Sequence, residues 1–231
     1  MCLGMRDERL EKRKEIKISK YLHNSKKMCI FAAEMNVLVG ILLAVTLWTD
    51  SLMLEAYRQE DMHVWREYVD SRELREESGE TLLYEYGYCG YIVAESKAGR
   101  AESEEAKRYV RLFDRDVEAL KEQLPAGHYA MYKSAVYVYE LRLHESVHPL
   151  KAMSMAKDAT RLAPTDPLTL SYYGTCLFYA PKPIGSKREA LEWFEKAQRY
   201  FEGESWRFCW VREATAMYIE QCKEKLNKEQ K

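Results

Sequence analysis

Tyr172-Tyr173-Gly174-Thr175-Cys176-Leu177-Phe178-Tyr179 forms one apolar run, Pro181-Lys182-Pro183-Ile184-Gly185 breaks it, and Ala190, Phe194 and Ala197 mark the run that follows. The i, i+4, i+7 spacing of those last three residues puts them on one helix face. The break is a stop, because proline lacks an amide donor and pushes the residue before it out of helical geometry. The stretch therefore predicts a helical hairpin. Gly174 and Ala190 are the small residues at which its two helices can approach closely, and a large side chain at either would hold them apart. A hairpin of this kind supplies a surface and no chemistry of its own.

The pattern recurs upstream. Ala152, Ala156 and Ala159 repeat the spacing of Ala190, Phe194 and Ala197, with Pro164 closing the unit, and Gly87 with Ala106 and Val110 makes a weaker copy. This resembles the tetratricopeptide-repeat family, whose unit carries a Gly in its first helix, small or aromatic residues in its second, and a closing Pro. The match spans residues 133 to 201 and, more loosely, 80 to 124. It departs where Glu140 fills the Gly slot of the middle repeat and where the Pro181 to Lys187 turn is longer than the family's. The resemblance implies an all-α, right-handed superhelix of helical hairpins, a solenoid, with its first helices lining a concave groove. Transferred onto this chain, the groove positions are Tyr84, Tyr88 and Tyr91, then Tyr137, Leu141 and His144, then Ser171, Thr175, Phe178 and Tyr179. An ordinary helical bundle with alanines as packing residues is the alternative architecture.

The remaining sequence agrees with long helices. Of 231 residues, 47% are hydrophobic and 32% charged, with ten Gly and six Pro. That balance gives enough apolar surface for a core and too few turn residues for an all-β fold. Helical periodicity is read over 52–70, 73–97, 102–124, 129–143, 150–163 and 205–226, with a stop at Leu124-Pro125-Ala126-Gly127 and a turn at His148-Pro149. The repeat domain is expected over 52–226, with 227–231 as a frayed tail.

Residues 1–51 have a different character. Before Met28, nine Lys/Arg face four Asp/Glu, and the apolar run Val37 to Trp48 follows. Positive charge before an apolar run of that length is an export signal, shorter than the roughly 20 residues of a membrane span. Small-residue cleavage sites occur at Ala44-Val45-Thr46 and at Thr49-Asp50-Ser51, the second directly before the helical pattern. An uncleaved anchor associating with the membrane through residues 29–48, or a buried helix, are the other readings. The expected location is the cell envelope.

Composition excludes several function classes. Beyond Ser51, 27 Lys/Arg face 31 Asp/Glu, so the folded part lacks the basic face of a nucleic-acid binder. The six cysteines show no C-x-x-C spacing, no glycine-rich phosphate loop follows a strand, and no cofactor is implied. His144-Glu145-Ser146-Val147-His148 fits the zinc-hydrolase pattern H-E-x-x-H, but Pro149 disfavours helix at His148 and no third ligand is evident nearby. No metal site and no enzyme activity are expected. The reading is a non-catalytic scaffold that binds a protein or peptide partner through a tyrosine-rich groove, since 17 Tyr offer large contact faces with little entropy to lose. The alternative is a small-ligand-binding helical-repeat component of an envelope transport system, which a pocket in place of an open groove would favour.

Overall fold

A computed structural model describes residues 51–71, 78–144, 149–202 and 209–229. Two compact units divide between Leu52 and Met53. The first, Met1–Leu52, contains the segment read as a signal or anchor, and residues 1–50 lie outside the described residues.

The second unit, Met53–Lys231, is all-helical among its described residues. Its helices are α1, here residues 53–58, then α2 (His63–Asp70), α3 (Gly79–Lys97), α4 (Ser103–Ala119) and α5 (Ala126–Arg142). They are followed by α6 (Pro149–Leu162), α7 (Pro167–Tyr179), α8 (Lys187–Phe201) and α9 (Cys209–Glu229). Helix α3 packs on α4, α5 on α6 and α7 on α8, and each pair packs on the next through α4–α5, α6–α7 and α8–α9. Helices α3, α5, α7 and α9 also touch in succession. Among the described residues no helix is long and apolar enough to cross a membrane.

Local chemistry sets the helix starts. Ser78 and Thr81 form a capping box at α3, the Asp166 side chain accepts the Thr169 amide at α7, and Ser186 accepts the Glu189 amide at α8. Each cap satisfies an amide that has no partner within the helix. Pro167 sits at the first position of α7, where its missing N–H matters least.

The hairpin of α7 and α8 closes as its sequence requires. Ala190, Phe194 and Ala197 are fully buried, and a Cβ at Gly174 would lie 2.9 Å from the Phe194 ring. Ala152, Ala156 and Ala159 are likewise buried on α6.

Three boundaries differ from the sequence reading. The single run over 52–70 is broken: α1 ends before Gln59, Glu60 takes φ 57°, and α2 starts at His63. The bend seats Trp65 in the core, where its Nε1–H donates to the Met53 carbonyl at 2.9 Å. Gly127, read as part of a stop, instead lies in the first turn of α5, where a Cβ would meet that of Ala163 at 2.6 Å. Close contact with the end of α6 selects glycine there. Helix α9 continues through Glu229, into the stretch expected to fray.

Candidate ligand pocket between α2, α3 and α4

A cavity of about 470 Å³ opens between α2, α3, the α3–α4 turn and the start of α4. Its size lies within the range of small-molecule sites. The inner wall is aromatic and apolar, formed by Tyr88, Tyr91 and Ile92 of α3 and by Met62 ahead of α2. Tyr88 is 2% exposed and meets Tyr109 edge-on with ring centroids 4.9 Å apart. Tyr109 is fixed in turn, its hydroxyl donating to the Asp70 carboxylate at 2.9 Å. Tyr91 stands 6.1 Å from Tyr88 and is 36% exposed, so it offers a ring to an incoming molecule.

The rim is charged. Arg66 donates to Glu105 at 2.6 Å, and Arg100 forms a fork onto Glu95 at 2.7 and 2.6 Å. His63 places Nδ1 3.6 Å from the Glu67 carboxylate, one turn along α2. Burial, followed by the neighbouring Tyr109, pushes the Tyr88 phenol well above the usual tyrosine range, so it is a neutral hydroxyl at physiological pH. The Arg100 hydrogen bond draws the Glu95 carboxyl below its usual range, which keeps that pair charged. The lining joins a small apolar wall to an ionisable rim in which His63, Arg66 and Arg100 stand with Glu95, Glu102 and Glu105, a mix that suits a small ligand with both apolar and polar parts.

Of the residues expected to line a groove, Tyr88 and Tyr91 reach this cavity. Tyr84 is buried between Trp65 and Tyr68, with centroids at 5.7 and 5.1 Å. Tyr137 is half-buried, with the Lys133 and Lys151 ammonium groups 5.8 and 4.4 Å from its ring centre. Ser171 is buried, its hydroxyl 2.7 Å from that of Thr215, and Thr175 donates to the Ser171 carbonyl. Phe178 is buried beneath Lys187 and Lys225, each 4.2 Å from its ring centre. Leu141 and Tyr179 remain 39% and 57% exposed. Tyr179 meets the Tyr218 hydroxyl at 3.2 Å, and the Arg142 guanidinium lies 5.7 Å from its ring centre. The other lining residues, among them Met62, His63, Arg66, Arg100 and the glutamates Glu95, Glu102 and Glu105, were not selected by sequence reasoning.

The H-E-x-x-H string does not continue α5. That helix ends at Arg142, and His144 takes φ 62°. Its Nε2 lies 2.9 Å from the Lys97 ammonium, which can only donate, so the lone pair a metal would use is engaged. Glu145 and His148 lie outside the described residues. Among the described residues no group of three or more His, Cys, Asp or Glu is arranged to hold a metal ion, and Cys176 and Cys222 are free thiols.

No family model and no curated protein matches the chain. A solved structure, the HusA haemophore from Porphyromonas gingivalis, is similar in fold: the TM-score is 0.53 at 14% identity, covering 76% of this chain and 92% of that one. At that identity the likeness speaks to the path of the helices alone.

Proposed function

We propose that this chain is a non-catalytic, exported binding protein of the tetratricopeptide-like superhelical type, and that it carries a small amphipathic ligand of the haem or porphyrin class in the α2–α4 pocket. The observation that carries the reading is the pocket itself: Tyr88 and Tyr91 meet a rim on which His63, Arg66 and Arg100 stand with Glu95, Glu102 and Glu105. The fold-level likeness to a haemophore supports that ligand class.

The residues present suit such a ligand. Tyr91 offers its exposed ring to a flat ligand, His63 and Met62 are among the side-chain types that hold haem iron, and guanidinium groups are the preferred partners of carboxylates. In the free chain Arg66 and Arg100 are occupied by Glu105 and Glu95, so a ligand carboxylate competes for them. This reading places the protein in the cell envelope as a carrier that delivers its ligand to a transport system.

Absorbance titration of the purified chain with ferric protoporphyrin tests the proposal. The expected result is a saturable 1:1 change with Kd at or below about 1 μM, which corresponds to roughly −8 kcal/mol. An unchanged porphyrin spectrum at that concentration removes the reading.

A protein- or peptide-binding adaptor is the second reading, favoured by the exposed pair Leu141 and Tyr179 at the C-terminal ends of α5 and α7. Crosslinking from native membrane and soluble fractions addresses it. A partner lost on Leu141→Ala plus Tyr179→Ala, with no porphyrin bound, would make this the primary function.

A further inference from the structure

We propose that the inner helices carry a second ligand site, for a planar aromatic acid with an oxygen substituent at the end opposite its carboxylate. Tyr57, Tyr86 and Trp210 meet that oxygen, and Arg142 meets the carboxylate. No residue lining the α2–α4 pocket takes part, so the inference stands apart from the porphyrin reading.

Three polar groups where α1, α3 and α9 meet lack partners. The Trp210 Nε1–H is buried with no hydrogen bond, and the Tyr57 and Tyr86 hydroxyls make none among the described residues. Their neighbours differ: Trp65 donates to the Met53 carbonyl, Tyr139 donates to the Tyr86 carbonyl, and the Tyr172 hydroxyl pairs with that of Ser134. Tyr57 and Tyr86 each stand 6.0 Å from Trp210 and so flank its ring. Burial pushes both phenols above the usual tyrosine range, which keeps them neutral donors. An indole N–H can only donate, so the group calls for an acceptor oxygen. Native structures leave few buried donors unmet, because each one carries the full cost of its lost hydration.

The space these groups face runs along α3, α5 and α7. Tyr86 sits in mid-α3 with the rings of Tyr132, Tyr139, Tyr172 and Trp210 at 6.0 to 6.2 Å, yet it is half-buried. Cys176 on α7 is half-buried too and lies within electrostatic range of Tyr86 and Tyr139. Side chains so surrounded that still reach solvent border a recess. Tyr57 borders it from α1, which the Arg58 guanidinium ties to Glu213 of α9 at 3.1 Å, and the Tyr57 phenol is within electrostatic range of Tyr179 on α7. At that end Arg142 is half-buried, 5.7 Å from the Tyr179 ring centre, and has no carboxylate partner among the described residues. A guanidinium is the matched partner of a carboxylate, and a planar ring suits aromatic walls. Burial pushes the Cys176 thiol up to about 12, so the recess offers no thiolate and binds without reacting.

The probe is a hydroxynaphthoate with its hydroxyl and carboxylate at opposite ends, titrated calorimetrically into the full chain. Naphthoate, which lacks the hydroxyl, and the hydroxynaphthamide, which lacks the charge, are its controls. The hydroxy acid should bind 1:1 with Kd at or below about 100 μM, and each control at least about fivefold more weakly. Arg142→Gln should weaken both acids about tenfold and leave the amide unchanged. Tyr86→Phe should weaken the two hydroxyl-bearing compounds several-fold and leave naphthoate unchanged. It should not lower the Tm of the free chain, as loss of a structural hydrogen bond would. The indole N–H resonance of Trp210, assigned by its loss in Trp210→Phe, should move when the hydroxy acid is added. Absence of saturable binding by all three compounds overturns the proposal. So does binding that Arg142→Gln and Tyr86→Phe both leave intact with the Trp210 resonance unmoved, because the ligand then lies elsewhere. Equal binding of acid and amide overturns the carboxylate and the part assigned to Arg142.

Discussion

Trp65 occupies the space that a side chain at Gly87 would need. A Cβ at Gly87 would lie 2.3 Å from Cζ3 of Trp65, and that indole is fully buried and tethered to the Met53 carbonyl. The two residues join α2 to α3 and so fix one side of the candidate pocket. Gly87→Ala gains about 1 kcal/mol of helix propensity. Overpacking against a ring that cannot retreat costs more, typically about 1–3 kcal/mol. The expected outcome is a lower Tm by thermal unfolding and weaker ligand binding, because α2 must move away from α3. An unchanged Tm would mean that Trp65 can find another rotamer.

The Asp166 carboxylate joins the start of α5 to the start of α7. It lies 3.1 Å from His128 Nε2 and accepts the Thr169 amide at 2.9 Å. Burial works to raise its pKa, but the His128 and Thr169 hydrogen bonds outweigh that and hold it below its ordinary value of 3.8. A depressed folded-state pKa gives stability that is present above the unfolded value and lost as pH falls through the folded one. Thermal melts from pH 5 down to about pH 2 should therefore show an acid-side loss that Asp166→Asn reduces. At neutral pH Asp166→Ala should cost about 1–2 kcal/mol through loss of the cap. Parallel acid profiles for wild type and Asp166→Asn would show that another carboxylate controls the transition.

The helical hairpins were legible in the sequence, and the pocket mostly was not. Ala190, Phe194 and Ala197 announce a buried face because three residues at helical spacing act through one local period, and the structure buries all three. The break between α1 and α2 has no such signal. Glu60 adopts positive φ without being glycine, and a tertiary contact, Trp65 beneath Met53, supports the bend. His63 and Arg66 therefore look like the solvent face of one long helix in the sequence, whereas after the bend both line the cavity that Tyr88 and Tyr91 also line. Tyr84 and Phe178 show the converse limit. An aromatic stripe at helical spacing reads the same whether it lines a groove or fills a core, and here both residues are buried.

Tyr91 separates ligand contact from stability. It is 36% exposed, and its ring contact with Tyr88 is at 6.1 Å. Removing such a ring should leave stability within about 0.5 kcal/mol of wild type, as for other surface substitutions. If the ring stacks on the bound porphyrin, Tyr91→Ala should weaken binding by up to about tenfold, the equivalent of about 1.4 kcal/mol and within the range of aromatic pairs. Binding unchanged in Tyr91→Ala would move the ligand away from α3.

Arg100 distinguishes the polar edge of the site from its apolar wall. Its fork onto Glu95 is exposed, so the pair contributes little to folding, and Arg100→Gln should leave Tm nearly unchanged. The same exchange removes a guanidinium that a ligand carboxylate would otherwise meet, and it frees the Glu95 carboxylate to repel that group. Ferric protoporphyrin, with two carboxylates, should bind Arg100→Gln several-fold more weakly, whereas its dimethyl ester should bind the variant and wild type equally. Raising the salt from 50 mM to 0.5 M should narrow the difference, since the Debye length shortens to roughly 4 Å. Equal loss for the free acid and the ester would assign Arg100 a role in holding Glu95 and the α3–α4 turn in place, and would put the ligand carboxylates beside Arg66 or in solvent.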